Sequence, residues 1–278
     1  MFGKNDVIPG RHLTLGITMT FVSLFLFIPL AAFVLFASGM GFEKFFTAVT
    51  DWRNVHAYGV SFFCALAAGL INAFFGLIIA WVLVRYDFRG KKIMDALIDL
   101  PFALPTAVAG IALTTLYAQN GLLGKFFYSI GIESAFSPLG ITIALIFVGI
   151  PFVARSVQPV LKELDPQLEE AANLFGANNR TIFSKIIFPE LLSPLLTGFA
   201  LAFARGIGEY GSVVFIAGNM PYETEIAPLM IMTKLEQFDY QSAAAIAIVM
   251  MVLSLTILLG IHGWQSRQLK KIGGVVNA

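Results

Sequence analysis

Arg205 and Glu209 lie four residues apart in a stretch, Leu191 to Ala217, that carries no other charge. Ionisable groups at membrane depth are costly and normally face a protein interior or a wet cavity. On one helix the two side chains can reach each other, which makes a neutral structural pair that locks the segment to its neighbours. The other use is electrostatic: the pair flanks a translocation path, where Arg205 attracts or times the passage of an anion. Both uses stay open. Asp99, Pro101 and Pro105 form a second group. Two prolines four apart leave carbonyls without donors and bend a helix. The segment is therefore either a kinked helix start or a flexible element near a gate. Glu170, Ala171, Ala172 and Gly176 form a third group. Two alanines leave a low surface for close approach, Glu170 offers a carboxylate to an arginine on a partner, and Gly176 makes a corner. That chemistry suits either docking on a partner or a loop helix that simply has alanine where it packs.

The chain offers no catalytic or metal centre by spacing. His12, His56 and His262 are scattered, unlike a metal-ligand set. Cys64 is alone in an apolar run and reads as a small buried hydrophobe. The Gly-Lys pairs at Gly3, Gly90 and Gly124 are not followed by Ser or Thr, so no Walker A loop cradles phosphates. Neither metal nor cofactor is expected in this chain. Gly206 to Gly211 fits G-x-G-x-x-G, but no strand precedes it. Small residues four apart (Ala202 and Gly206; Ala204, Gly208 and Ser212) point instead to close helix contact.

The elements that must position these residues are membrane helices. The chain of 278 residues is 58% hydrophobic and 13% charged, far from a soluble composition. Six apolar runs, at about 13–38, 58–84, 97–118, 138–157, 191–217 and 242–263, are each long enough to cross a bilayer. No period-2 alternation suggests a barrel. The expected fold is all-α: a polytopic membrane protein with six transmembrane helices. The first run is about twice a signal-peptide core in length and reads as a retained anchor. Residues 1–12 form a short N-terminus, 13–263 the six-helix domain and 264–278 a tail.

Thirteen Lys and Arg residues fall on one side of these spans, in the two ends and the loops 85–93 and 155–189. Four, Lys44, Arg53, Lys125 and Lys234, fall on the other. The bias places both termini and the 155–189 loop in the cytoplasm. Asp165-Pro166 starts a helix in that loop, an N-cap acceptor before a proline at N1. Gly176 suits its left-handed end. Asn178 or Asn179 can cap a second short helix, and Pro189 marks the approach to span five. Outside, Thr224 to Phe238 is either a short interfacial helix or an irregular loop.

The spacing of Glu170, Ala171, Ala172, Gly176, Ile186, Phe188 and Pro189 is similar to the EAA signature of ATP-binding-cassette importer permeases, with Phe188 where Leu is commonest. Ala204 to Gly211 is similar to the Arg-x-x-Gly-Glu-Phe/Tyr-Gly motif of tetrahedral-oxyanion permeases, sulfate and molybdate among them. Asp99 to Gly110, Arg155 to Val160 and Phe215 to Asn219 resemble the T-type subunits of bacterial sulfate/thiosulfate permeases. The resemblance covers about residues 10–268. It implies the type I importer (MetI-like) fold, in the bacterial cytoplasmic (inner) membrane. It also implies a docking helix seated in a groove of a separate ABC ATPase dimer, which would carry the ATP and Mg. Further implied partners are a second, W-type permease subunit and a periplasmic or lipid-anchored sulfate-binding protein, with membrane lipid around the spans and no nucleic acid. The implied function is sulfate/thiosulfate import by a non-catalytic permease. A molybdate permease is the nearest rival. A secondary transporter would call for inverted repeats or buried coupling charges, and a membrane enzyme for a cluster of His, Asp and Glu.

Overall fold

A computed structural model describes residues 11–276. The expectations resting on residues 1–10, on Lys4 and on the last two residues lie outside the described residues. So do those on the side chains of Arg11, His12, His262, Arg267, Lys270 and Lys271. Among the described residues every regular element is a helix, and there are no strands. The first span is α1 (Arg11–Val22), a π-helical turn (Ser23–Phe27) and α2 (Ile28–Ser38), followed by α3 (Phe42–Thr50). The second is α4 (Trp52–Arg85), opened by the Asp51 side chain accepting from Arg53 N at 3.1 Å. Next come α5 (Lys91–Ile98), α6 (Leu100–Ala103), α7 (Thr106–Tyr117) and α8 (Gly124–Ser129). The fourth span is α9 (Pro138–Glu163), capped by Ser137 Oγ, which accepts from Gly140 N at 3.3 Å. The segment expected to dock is α10 (Pro166–Leu174) and α11 (Asn179–Ile182). A second π-helical turn (Phe183–Ile187) leads into α12 (Phe188–Ile207). The chain ends with α13 (Val213–Ile216), α14 (Ala227–Glu236) and α15 (Tyr240–Val276).

Among the described residues five helical stretches are long and apolar enough to span a membrane, and Thr106–Tyr117 is a shorter sixth. The expected third span at 97–118 is thus three pieces. Proline explains the break: Leu104, just before Pro105, is extended at φ −85°, ψ 137°, because the proline ring excludes the helical region for its predecessor. The expected fifth span at 191–217 also differs. It begins earlier, since the second short helix runs on through the π turn as Asn179–Ile207, and it stops at Ile207. Both π turns end two residues before a proline, Pro29 and Pro189. A wider turn takes up the register that a missing N–H disturbs.

The core is the mutual packing of α4, α9 and α12. Val153 on α9 sits fully buried at their junction. A Cβ on Gly76 of α4 would lie 2.7 Å from its Cβ, and one on Gly198 of α12 would lie 2.7 Å from its Cα. Glycine at both contacts lets the three backbones close on one valine. Within the 224–238 segment Ala227–Glu236 is a helix, α14, held by Met230 and Ala227 against α15 and α4. The Arg53 guanidinium adds a two-point bond to Glu225, 2.7 Å at each contact.

Candidate functional site

The 165–182 segment forms as its residues dictate. Asp165 accepts from Gln167 N at 2.9 Å and Pro166 occupies the first turn. At the other end Gly176 has φ +79°. Gly176 N bonds Asn173 O at 2.9 Å and Ala177 N bonds Ala172 O at 3.0 Å, the paired bonds of a Schellman end. Asn178, rather than Asn179, caps the next helix through Thr181 N at 2.8 Å. The result is a short stiff hook. Gly176→Ala forces a left-handed φ on a residue with a Cβ, so it is expected to destabilise the corner by about 1 kcal/mol. A lower yield of co-purified partner, with span packing intact by proteolysis, checks it.

The faces of the hook divide cleanly. Glu169 pairs with Arg85, and Ala172 packs against the buried apolar cluster that includes Ile182 and Ile187. Glu170 and Ala171 are exposed. At the tip Leu174 is 88% and Phe175 92% exposed. Sequence reasoning singled out Glu170, Ala171, Ala172 and Gly176 but passed over Leu174 and Phe175. Two large apolar residues directly before a helix-ending glycine were the available signal. A contiguous exposed apolar patch is a feature of surfaces that contact protein or membrane.

Asp99 does not act alone. Arg155 of α9 donates from Nε and Nη2 to its two carboxylate oxygens at 2.8 and 2.6 Å. Arg155 Nη1 also donates to Asp95 Oδ1 and Gln158 Oε1, each at 2.6 Å. The Arg155 hydrogen bond is the main cause that holds the Asp95 carboxyl below its usual range. This fork clamps α5 and α6 to α9. Pro101 is buried and Pro105 is exposed, just after the extended Leu104. Asp95 and Arg155 were not singled out as a pair; 60 residues separate them.

Arg205 and Glu209 do meet, Nη1 to Oε2 at 2.5 Å, but not along one continuous helix as expected. Helix α12 ends at Ile207, with Gly208 as its C-cap, so the row Ala204, Gly208, Ser212 is not a helix face. Ala202 and Gly206 do serve close packing, the latter against Ala65. Glu209, whose side chain is 1% exposed, accepts at Oε1 from Ser212 N at 2.9 Å and Ser212 Oγ at 3.0 Å. Its carboxylate therefore holds the unwound turn together from inside. Backbone that is neither helix nor sheet survives at membrane depth only when buried in protein or lining a cavity. Here it nests on the third span: a Cβ on Gly110 would strike the Ser212 backbone, and one on Gly211 would strike Thr106. The two broken spans thus meet at their breaks. Arg205 remains 38% exposed.

Among the described residues no group of three His, Cys, Asp or Glu side chains could hold a metal.

The chain matches the family described as binding-protein-dependent transport system inner membrane component over residues 72–271. It is 46% identical over 268 residues to the sulfate transport system permease protein CysT of Salmonella typhimurium, covering 96% of this chain and 97% of that protein. It is 48% identical over 246 residues to the protein of the same name from Synechocystis, covering 88% and 86%. Among solved structures, a bacterial ABC transporter that imports the acidic polysaccharide alginate superimposes with TM-score 0.76 at 16% identity, covering 92% of this chain and 95% of that one. The methionine transporter MetNI superimposes with TM-score 0.58 at 16% identity, covering 80% and 96%. At these identities the structural likeness speaks for the fold.

Proposed function

We propose, from the premise that this chain belongs to the family of binding-protein-dependent transport system inner membrane components, that it is the permease subunit of an ATP-driven importer of sulfate and thiosulfate. The observation that carries the substrate is the identity of 43–48% with sulfate permeases along nearly the whole chain. The chain is a multi-pass inner membrane protein and not itself a catalyst. ATP and Mg belong to a separate ATPase dimer, because this sequence has no Gly-Lys-Ser/Thr triplet. The hook faces the cytoplasm, as do both termini, on the strength of the Lys and Arg bias. Its tip, Leu174 and Phe175, enters a groove on the ATPase beside Glu170, which takes an arginine there. A second, W-type permease completes the membrane part, and a sulfate-binding protein delivers the ion from outside.

The anion's route passes the seam where the two broken spans meet. A doubly charged ion cannot cross apolar protein without replacement donors, and Arg205 supplies charge there. Its partner Glu209 moderates that charge, so the ion is passed on rather than trapped. Proteoliposomes holding both permeases and the ATPase are expected to take up labelled sulfate only with ATP inside and loaded binding protein outside. Uptake without ATP would overturn the reading. Arg205→Lys is expected to assemble normally but to lower uptake by about tenfold, roughly 1.4 kcal/mol at the point of passage. Normal uptake in Arg205→Lys together with failed folding in Arg205→Ala would assign Arg205 a structural role only.

A further inference from the structure

We propose that Arg85 and Glu169 are positioning residues of the docking helix, an ionic tie that carries its displacement into the second span. The inference rests on the permease reading and names how its motion is transmitted. Helix α10 has no fully buried residue. Its covalent ends lead to two of the three packed core spans: Leu164 joins it to α9, and Ala177 and Asn178 join it through α11 to α12. The third core span, α4, has no chain connection to it. The Glu169 carboxylate bridges that gap by accepting from Arg85 Nη2. Arg85 is the last residue of α4.

The neighbours of Arg85 suit this role. Its guanidinium lies over the Trp81 ring, 5.3 Å from the centroid. Trp81 meets Phe183 edge-on at 5.4 Å, in the π turn that leads into α12. Arg85 Nε is buried without a hydrogen-bond partner, so without Glu169 the guanidinium would rest on the indole face alone. A body attached at two points can still rotate about the line between them. A third attachment off that line removes the rotation. Ala172 adds an apolar contact with the core cluster and Glu169 an ionic one at the end of α4, and the adjacent glutamates divide the work: Glu170 turns outward and Glu169 turns to the permease's own second span.

The test uses the complete reconstituted transporter with Glu169→Arg, Arg85→Glu and the combined charge swap. The readouts are ATPase subunit retained per permease and sulfate imported per ATP hydrolysed. Each single variant is expected to retain the ATPase yet lower sulfate per ATP by about fivefold or more, the lower end of a typical coupling between sites. The swap is expected to restore the ratio to within about twofold of the parent protein. Single variants with the parent ratio would overturn the tie, as would a swap no better than the singles. Where a single variant fails to assemble, the swap decides, and a swap that also fails overturns the proposal. Absence of ATP-driven uptake in the parent protein would instead sink the permease reading itself.

Discussion

Leu174→Asp combined with Phe175→Asp is expected to strip the ATPase subunit from the purified transporter while the permease stays folded. Both side chains project from the tip of α10, 88% and 92% exposed, and contribute almost nothing to the permease's own core. Burial of a large apolar side chain is worth roughly 1.5–3 kcal/mol, so seating both in a partner groove supplies about 3–6 kcal/mol. Losing that amount weakens association by more than about a hundredfold, and the buried carboxylates add a desolvation penalty. Affinity purification on a tagged permease, with the ATPase quantified against it, reads the effect. Full retention of the ATPase would mean that the hook's tip is not the contact. Glu170→Lys, which reverses a charge at the edge of the same patch, is expected to weaken association less and in a salt-dependent way.

Arg155→Leu is expected to release the N-terminal end of the third span. The fork joins two carboxylates, an amide and a backbone carbonyl to one guanidinium, a geometry lysine cannot reproduce. Its groups are about one-third to one-half exposed, so solvent screening limits the loss to about 1–2 kcal/mol. The two aspartates left behind would repel each other. A drop of a few degrees in Tm in detergent and new protease cutting between Arg89 and Pro105 check it. Arg155→Lys should fall between parent and Leu variant, and Asp95→Asn with Asp99→Asn should restore part of the stability lost in Arg155→Leu. The sign with pH follows from Asp95. Its folded carboxyl titrates below the unfolded one, so its contribution is complete above the ordinary carboxylate range and is lost as pH falls through the lower folded value. Acid therefore opens the clamp and alkali does not.

The hook was legible from sequence because it is built from local rules. Asp165, Pro166, Gly176 and Asn178 each act on backbone within three residues of themselves, and a single chain segment states all of them. The apolar runs were legible for the same reason, since lipid demands that each segment satisfy its own backbone. Span three was misjudged in its continuity: Pro105 was read as a bend, whereas its neighbour Leu104 is driven extended and the helix restarts at Thr106. In span five the glycines of 206–211 were assigned to packing, and the break at Gly208 was missed because hydropathy is blind to an unwound turn.

What the chain determined by itself is the set of apolar segments and the shape of the hook: properties of neighbours in sequence. What only the tertiary structure decided is which charges meet. Arg155 finds Asp95 and Asp99 some 60 residues away, Arg85 finds Glu169 at a separation of 84, and the two broken spans nest at Gly110 and Ser212. Such partners are selected by how α4, α9 and α12 close around Val153. That closure depends on contacts between surfaces with no fixed spacing in the chain.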